Sequence, residues 1–133
     1  MRILALDWGE VRIGAAVSDE DGRIAFPLDK IIPNKNAKSE IKELIDRLEI
    51  KKIIIGLPKT LKGAEAKSAQ KLKKFVRSLE PVLSVPIDLV DERFTTVEAS
   101  KKLRAQGMSE KQQRAIKDNI AAQIMLQQYL NHL

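Results

Sequence analysis

Residues 3–14 constrain the fold more than any other part of this sequence. The first four of them are apolar, which predicts a strand that is buried on both faces. This strand runs directly into Asp7 and then into a turn that contains Gly9. Because a carboxylate beside the core is costly unless it meets a positive charge, Asp7 either caps the turn or binds a cationic partner.

Hydrophobic periodicity along the chain predicts the element order β-β-β-α-β-α-β-α-α. The first seven predicted elements occupy residues 3–6, 13–18, 23–26, 41–48, 52–56, 69–79 and 87–91. Sequential strands usually lie next to each other, and strands joined by helices usually run parallel. We therefore expect an α/β fold with a five-stranded mixed sheet, in which a three-stranded antiparallel meander is extended by two parallel strands and helices cover both faces.

Two further helices are predicted after the last strand. Thr95 and Glu98 have the capping-box spacing that begins a helix, Gly107 closes it, and Ser109 and Gln112 repeat the spacing for the final helix. We find no internal repeat, low-complexity tract or linker in the sequence. We therefore expect residues 1–133 to form a single domain with one core.

Composition excludes several kinds of site. The chain has no cysteine, which excludes a disulfide framework, a cysteine zinc site and a thiol nucleophile. Its single histidine, His132, stands near the end of the sequence, and we expect no histidine-based catalysis. No apolar run approaches the roughly 18 residues that span a bilayer, so we expect a cytoplasmic protein without a membrane partner. The net charge of +6 favours a polyanion such as nucleic acid.

The predicted helix that follows the loop at residues 59–63 and has its apolar face at residues 69–79 carries much of this positive charge. Lys67, Lys71 and Lys74 line the side opposite its apolar face, with Lys73 and Arg77 beside them. Such a row is either a solvated helix face or part of a nucleic-acid footprint, and the sequence leaves both interpretations open.

Three acidic features are predicted to meet at one end of the sheet. Asp7 and the pair Asp91-Glu92 each follow a short buried strand, and the carboxyl ends of such strands are where α/β proteins bind ligands. Asp118 lies on the core-facing stripe of the last helix and needs a positive partner. Converging carboxylates repel one another unless a cation is bound, and oxygen-only ligands favour Mg²⁺ or Mn²⁺. Such sites carry out phosphoryl chemistry.

The same residues resemble a known family. The matching motifs are Asp7-Trp8-Gly9 with Arg12-Ile13-Gly14, Gly56-Leu57-Pro58 with Gly63, Val90-Asp91-Glu92-Arg93 with Thr95-Thr96, and Asp118 with Ala121-Ala122 and Leu126 through Leu130. In order and spacing they are similar to the YqgF family of small ribonuclease H-like proteins. Members of that family are described as Holliday junction resolvases and as pre-16S rRNA nucleases. The resemblance covers essentially the whole chain.

This resemblance implies a ribonuclease H-like fold. It also implies a metal-dependent hydrolase that cleaves phosphodiester bonds in RNA, with Mg²⁺ or Mn²⁺ as cofactor. The implied process is 5′-end processing of pre-16S rRNA in ribosome biogenesis. The implied catalytic residues are Asp7, Glu92 and Asp118, which are also the implied metal ligands, with Asp91 as an alternative to Glu92. The candidate phosphate-binding residues are Gly9, Arg12, Lys59, Arg93, Thr95 and Thr96. Arg12 and Arg93 are equally candidates for structural partners of the acids.

Two other functions fit the same sequence. RuvC-type resolvases have an acid at the end of the fourth strand, where this chain has Gly56-Leu57-Pro58, so the acids after the fifth strand must substitute for it. The alternatives are therefore a resolvase of DNA four-way junctions, which would act as a homodimer rather than a monomer, and a factor that binds nucleic acid without cleaving it.

Overall fold

The fold is built on a sheet with one central strand. The computed structural model of the protein describes residues 1–57, 64–91, 107 and 109–133. Its strands are β1 (Arg2–Asp7), β2 (Arg12–Ser18), β3 (Ala25–Pro27), β4 (Ile32–Pro33), β5 (Ile50–Leu57) and β6 (Ile87–Asp91). The sheet order is β3-β2-β1-β5-β6, and the short β4 pairs with the start of β2.

Strand directions agree with the predicted mixed sheet. β1 is antiparallel to β2, and β2 is antiparallel to β3, which forms the meander. β5 is parallel to both β1 and β6, so these three strands end at the same edge. We call this the carboxyl edge. The structure contains one strand more than the five predicted, β4. It has only two residues, which is too short to show a periodic pattern in the sequence.

Three α-helices lie within the described residues: α1 (Ala37–Leu48), α2 (Ala64–Leu79) and α3 (Glu110–Asn131). A turn of 3₁₀-helix, Asn34–Asn36, leads into α1. The final helix begins directly after Ser109, as its capping spacing predicts. Gly107 has a φ of 78°, the left-handed conformation common after a helix end, while the rest of the helix predicted from Thr95 lies outside the described residues.

The alternation of β1 divides the core into two layers, because neighbouring side chains of a strand point to opposite faces. Leu4 and Leu6 pack in a cluster with the buried faces of α1 and α2. Ile3 and Ala5 pack in a second cluster with α3. Helices therefore cover both faces of the sheet, which confirms the predicted arrangement. Across the described residues, we find no helix with both the length and the apolarity needed to span a membrane.

The edge of the sheet opposite the carboxyl edge is fastened to α3 by Lys52. Its Nζ lies 2.7 Å from Asp88 Oδ2 and donates a hydrogen bond of 2.5 Å to Tyr129 Oη. The contact with Asp88, followed by that with Tyr129, raises the pKa of Lys52 above its ordinary value of 10.5.

Candidate active site

Asp7 lies at the carboxyl edge and lines an open cleft. The cleft has a volume of about 470 Å³ and is lined by residues 7–12 and by Asp118 of α3. Asp7 is the last residue of β1 and is half-buried, because the strand ahead of it is fully covered by the two core layers. Two of the predicted acids thus come from distant parts of the chain and line the same cleft.

Asp118 has the positive partner that its position on α3 requires. Its Oδ2 accepts a hydrogen bond of 2.6 Å from Nε of Arg12, and its side chain is 31% exposed. Arg12 is 64% exposed, so its guanidinium reaches the carboxylate from the solvent side of the cleft. Of the two roles predicted for Arg12, the contact with Asp118 is the one that the structure contains.

Gly14 allows α3 to approach the sheet at this point. It is the register partner of Asp7 on β2. A Cβ on Gly14 would lie 2.1 Å from the backbone oxygen and 2.3 Å from the carbonyl carbon of Asp118. Any larger residue would therefore collide with the backbone of α3, and the glycine of the Arg12-Ile13-Gly14 motif places Asp118 over the end of β1.

Asn119 fixes the axial position and the rotation of α3 relative to the sheet. The sequence analysis did not identify this residue. It is fully buried, its Oδ1 accepts a 2.8 Å hydrogen bond from the N–H of Ala15, and its Nδ2 donates to the carbonyl oxygens of Leu28 and Lys30 at 2.7 and 2.9 Å. The side chain thus satisfies backbone groups on two segments at once. The four-residue spacing of Asn119, Gln123 and Gln127 was the available signal.

The loop between β1 and β2 is held by Asn34, a second residue that the sequence analysis missed. Asn34 Nδ2 donates to the carbonyl oxygen of Gly9 at 2.6 Å, and its backbone N–H donates to that of Val11 at 2.9 Å. A Cβ on Gly9 would lie 2.4 Å from the carbonyl oxygen of Arg12, so the tight loop itself requires glycine.

The acids after the last strand are only partly within the described residues. β6 ends at Asp91, whose register partner is Leu57, and Val90 packs in the cluster that contains α3. Glu92, Arg93, Thr95, Thr96 and Lys59 lie outside the described residues. Gly56 occupies the carboxyl edge between β1 and β6, where the sequence analysis noted that resolvases have an acid.

The donor set at the cleft suits a hard divalent cation, because the acids that line it, Asp7, Glu10 and Asp118, offer only carboxylate oxygens. Among the residues described, no group of three or more potential ligands is assembled. Glu92, the third metal ligand of the predicted set, lies outside them. Asp7 and Asp118 are therefore the part of the predicted site that the structure brings together.

Comparison with solved structures identifies the class of fold. The chain superposes on "T. thermophilus RuvC in complex with Holliday junction substrate" with a TM-score of 0.64 and 13% identity, covering 99% of this chain and 94% of that one. It superposes on the Fowlpox virus resolvase in complex with Holliday junction DNA with a TM-score of 0.56 and 14% identity, covering 99% and 98% of the two chains. At these identities the likeness shows the fold, which is that of the ribonuclease H-like nucleases.

Sequence comparison identifies the family within that class. The RuvX family, described as "Holliday junction resolvase", matches residues 1–132, and the chain belongs to this family, which is the YqgF family of the motif analysis. Relatives named "Putative pre-16S rRNA nuclease" include one from Streptomyces avermitilis, 42% identical over 97% of this chain and 85% of the relative, and one from Halothermothrix orenii, 40% identical over 99% and 96%. The chain is a phosphodiester-hydrolysing enzyme of a fold that generally depends on divalent metal ions.

Proposed function

We propose that this protein hydrolyses phosphodiester bonds in RNA at the cleft, with Mg²⁺ or Mn²⁺, and acts in the cytoplasm on the 5′ end of pre-16S rRNA. The observation that carries the proposal is that Asp7 and Asp118, which are 111 positions apart in the sequence, line one cleft beside Arg12. The names of the relatives support RNA as the substrate.

The proposed metal ligands are Asp7, Asp118 and Glu92, with Asp91 as the alternative. Val90, which directly precedes these two acids, packs in the cluster that contains α3, so the end of β6 lies on the same side of the sheet as the helix of Asp118. A hard divalent ion held by these oxygens would polarise the scissile phosphate and activate the attacking water.

Arg12 positions Asp118, and the open cleft leaves room for a phosphate. Arg12 orients Asp118 through its Nε, which leaves its remaining N–H donors available to a phosphate oxygen, because the guanidinium carries five in all. Asn34 fixes the carbonyl groups of Gly9 and Val11, so the loop wall does not need to reorganise when the substrate enters. The proposed phosphate-binding residues beyond these are Lys59, Arg93, Thr95 and Thr96.

Cleavage assays with matched variants test the proposal. Asp7→Asn and Asp118→Asn remove one charge each from the cleft, and Asp46→Asn removes one from the exposed surface of α1. The substrate is an RNA that contains the 5′ junction between leader and mature 16S sequence, incubated with Mg²⁺. We expect wild type and Asp46→Asn to cleave it at equal rates and both cleft variants to lose at least 100-fold, on the order of what removal of a catalytic group costs. Equal rates in all four proteins would refute the site.

A four-way DNA junction in the same assay tests the second candidate function, which the solved resolvase structures favour. Faster and symmetric nicking of the junction would assign the cleft to junction resolution and would require a dimer. Binding of both substrates without cleavage of either, in Mg²⁺ and in Mn²⁺, would instead identify a non-catalytic binding factor.

A further inference from the structure

A second groove opens beside the cleft, between the start of α1 and the side of α2. It is lined by residues 34–39 together with Phe75 and Ser78, and has a volume of about 470 Å³. We call it the basic groove, because Lys35 and Lys38 stand exposed in its wall. Among the residues described, no carboxylate forms an ion pair with either lysine. The acids of α1 lie elsewhere, since Glu40 and Glu43 line a different pocket next to residues 28–32.

The basic row of α2 runs along the other side of this groove. Lys67, Lys71, Lys74 and Ser78 follow the spacing i, i+4, i+7 and i+11, which places them within one narrow stripe of the helix, about 16 Å long. Ser78 is itself part of the groove wall. Lys73 and Arg77 are also exposed, but helical rotation separates them from the nearest residue of this stripe, Lys74, by about 100° and about 60°.

The basic groove is continuous with the cleft through three contacts. Lys71 Nζ lies 3.2 Å from Oε1 of Glu10, which lines the cleft. Phe75 of the groove packs against Trp8 of the cleft, with ring centroids 6.2 Å apart. Asn34 lines the groove and also holds the cleft loop at Gly9. A polymer that enters the cleft can therefore reach the lysines of the groove, and Glu10, the acid at this junction, is paired with Lys71.

We propose that the basic groove binds the sugar-phosphate backbone of the nucleic acid on one side of the cleavage position. Several lysines in a row suit a repeating anion that is held by its phosphates. The groove adds to the cleft a means of holding substrates that are longer than the segment in the cleft. The inference rests on the proposed function only in taking this nucleic acid to be the RNA substrate.

Salt-dependent RNA binding tests the groove without requiring catalysis. The probe is a fluorescein-labelled single-stranded RNA of 20 nucleotides, titrated in EDTA at several KCl concentrations. Lys38→Glu/Lys74→Glu alters the groove, and Lys73→Glu/Arg77→Glu makes the same change of net charge on the outer side of α2. Because a phosphate contact to a single strand contributes a slope of about 0.7 to log Kd against log salt, loss of two contacts weakens binding about 25-fold at 0.1 M KCl.

We expect the groove pair of substitutions to show this loss, with a slope reduced by about 1.4, and the outer pair to stay within about threefold of wild type. Lys38→Gln/Lys74→Gln should reproduce the lower slope without reversing the charge. Equal losses in the groove and outer pairs would show an effect of net charge alone and would overturn the proposal, as would wild-type binding by the groove pair.

Hydrolysis of bis(p-nitrophenyl) phosphate in Mn²⁺ separates this proposal from the proposed function. This small diester is too short to reach the groove, so we expect both double variants to hydrolyse it at the wild-type rate. If wild type hydrolyses neither the diester nor RNA, the proposed function fails while the binding result still decides the groove. If the groove pair loses diester hydrolysis as well, the lysines act on the cleft itself and the proposal is wrong.

Discussion

Gly14→Ala is the substitution whose effect follows most directly from the geometry of the cleft. The new Cβ would lie 2.1 Å from the backbone oxygen of Asp118, whereas an ordinary contact of this kind is about 3.4 Å. No side-chain rotation relieves a contact with backbone, so α3 must retreat from β2 by about 1.3 Å. That movement would lengthen the three hydrogen bonds of Asn119 beyond an effective distance.

The expected cost is about 3 kcal/mol, because each of those hydrogen bonds contributes about 1 kcal/mol net. Urea unfolding followed by circular dichroism measures it, with Gly22→Ala as the control. Gly22 has a φ of 69° and its added Cβ meets nothing closer than 3.4 Å, so only backbone strain of about 1 kcal/mol is expected there. If Gly14→Ala costs no more than Gly22→Ala, the close approach of α3 does not control the position of Asp118.

Three further predictions concern the supports of the site and of the opposite edge. Asn119→Asp should lower the free energy of unfolding by about 3 to 5 kcal/mol at pH 7, because a buried carboxylate would then face two carbonyl oxygens. This loss should exceed that of Asn119→Ala. Urea unfolding that finds the alanine variant less stable than the aspartate variant would contradict the prediction. Arg12→Met should change the free energy of unfolding by only about 0.5 kcal/mol, because the ion pair with Asp118 is largely exposed. The same substitution should tighten Mn²⁺ binding, measured by calorimetry without RNA, since Asp118 loses a competing cation. Unchanged Mn²⁺ affinity would refute this competition. Lys52→Met should cost about 1 kcal/mol between pH 6 and 9. Because the pKa of Lys52 is raised in the folded protein, this contribution to stability is present below the ordinary pKa of 10.5 and is lost as the pH rises through the folded-state pKa. The unfolding free energies of wild type and Lys52→Met should therefore converge at high pH. A constant difference up to pH 12 would contradict the role given to Lys52.

Local sequence patterns were sufficient for the layers of this fold. The apolar run at residues 3–6 predicted the central strand, and helical spacing in α1 and α2 predicted the faces that cover it. These patterns succeed because the buried face of a strand or helix recurs with the period of that element, and this period can be read from consecutive residues. The position of Asp118 on the core-facing side of α3 likewise predicted its need for a cation, although not that Arg12 would supply it.

The supports of the candidate site depend on contacts between distant segments, and no local pattern reports them. Asn119 is needed because backbone groups of Ala15, Leu28 and Lys30, from separate segments, lie within hydrogen-bond distance of the same position on α3. Asn34 holds a loop that precedes it by more than 20 residues. Gly14 resembles any glycine of a strand until the helix above it is in place. Tertiary register, rather than propensity, decides each of these three roles.

Titration with Mn²⁺, followed by electron paramagnetic resonance of the free ion, measures whether Asp7 and Asp118 belong to one divalent-cation site. We expect Asp7→Asn and Asp118→Asn each to weaken Mn²⁺ binding at least tenfold, on the order of the loss of one charged ligand, while Asp46→Asn binds as wild type does. Unfolding curves of the same proteins establish that each variant is folded. Wild-type affinity in either cleft variant would show that the two carboxylates do not share one metal site.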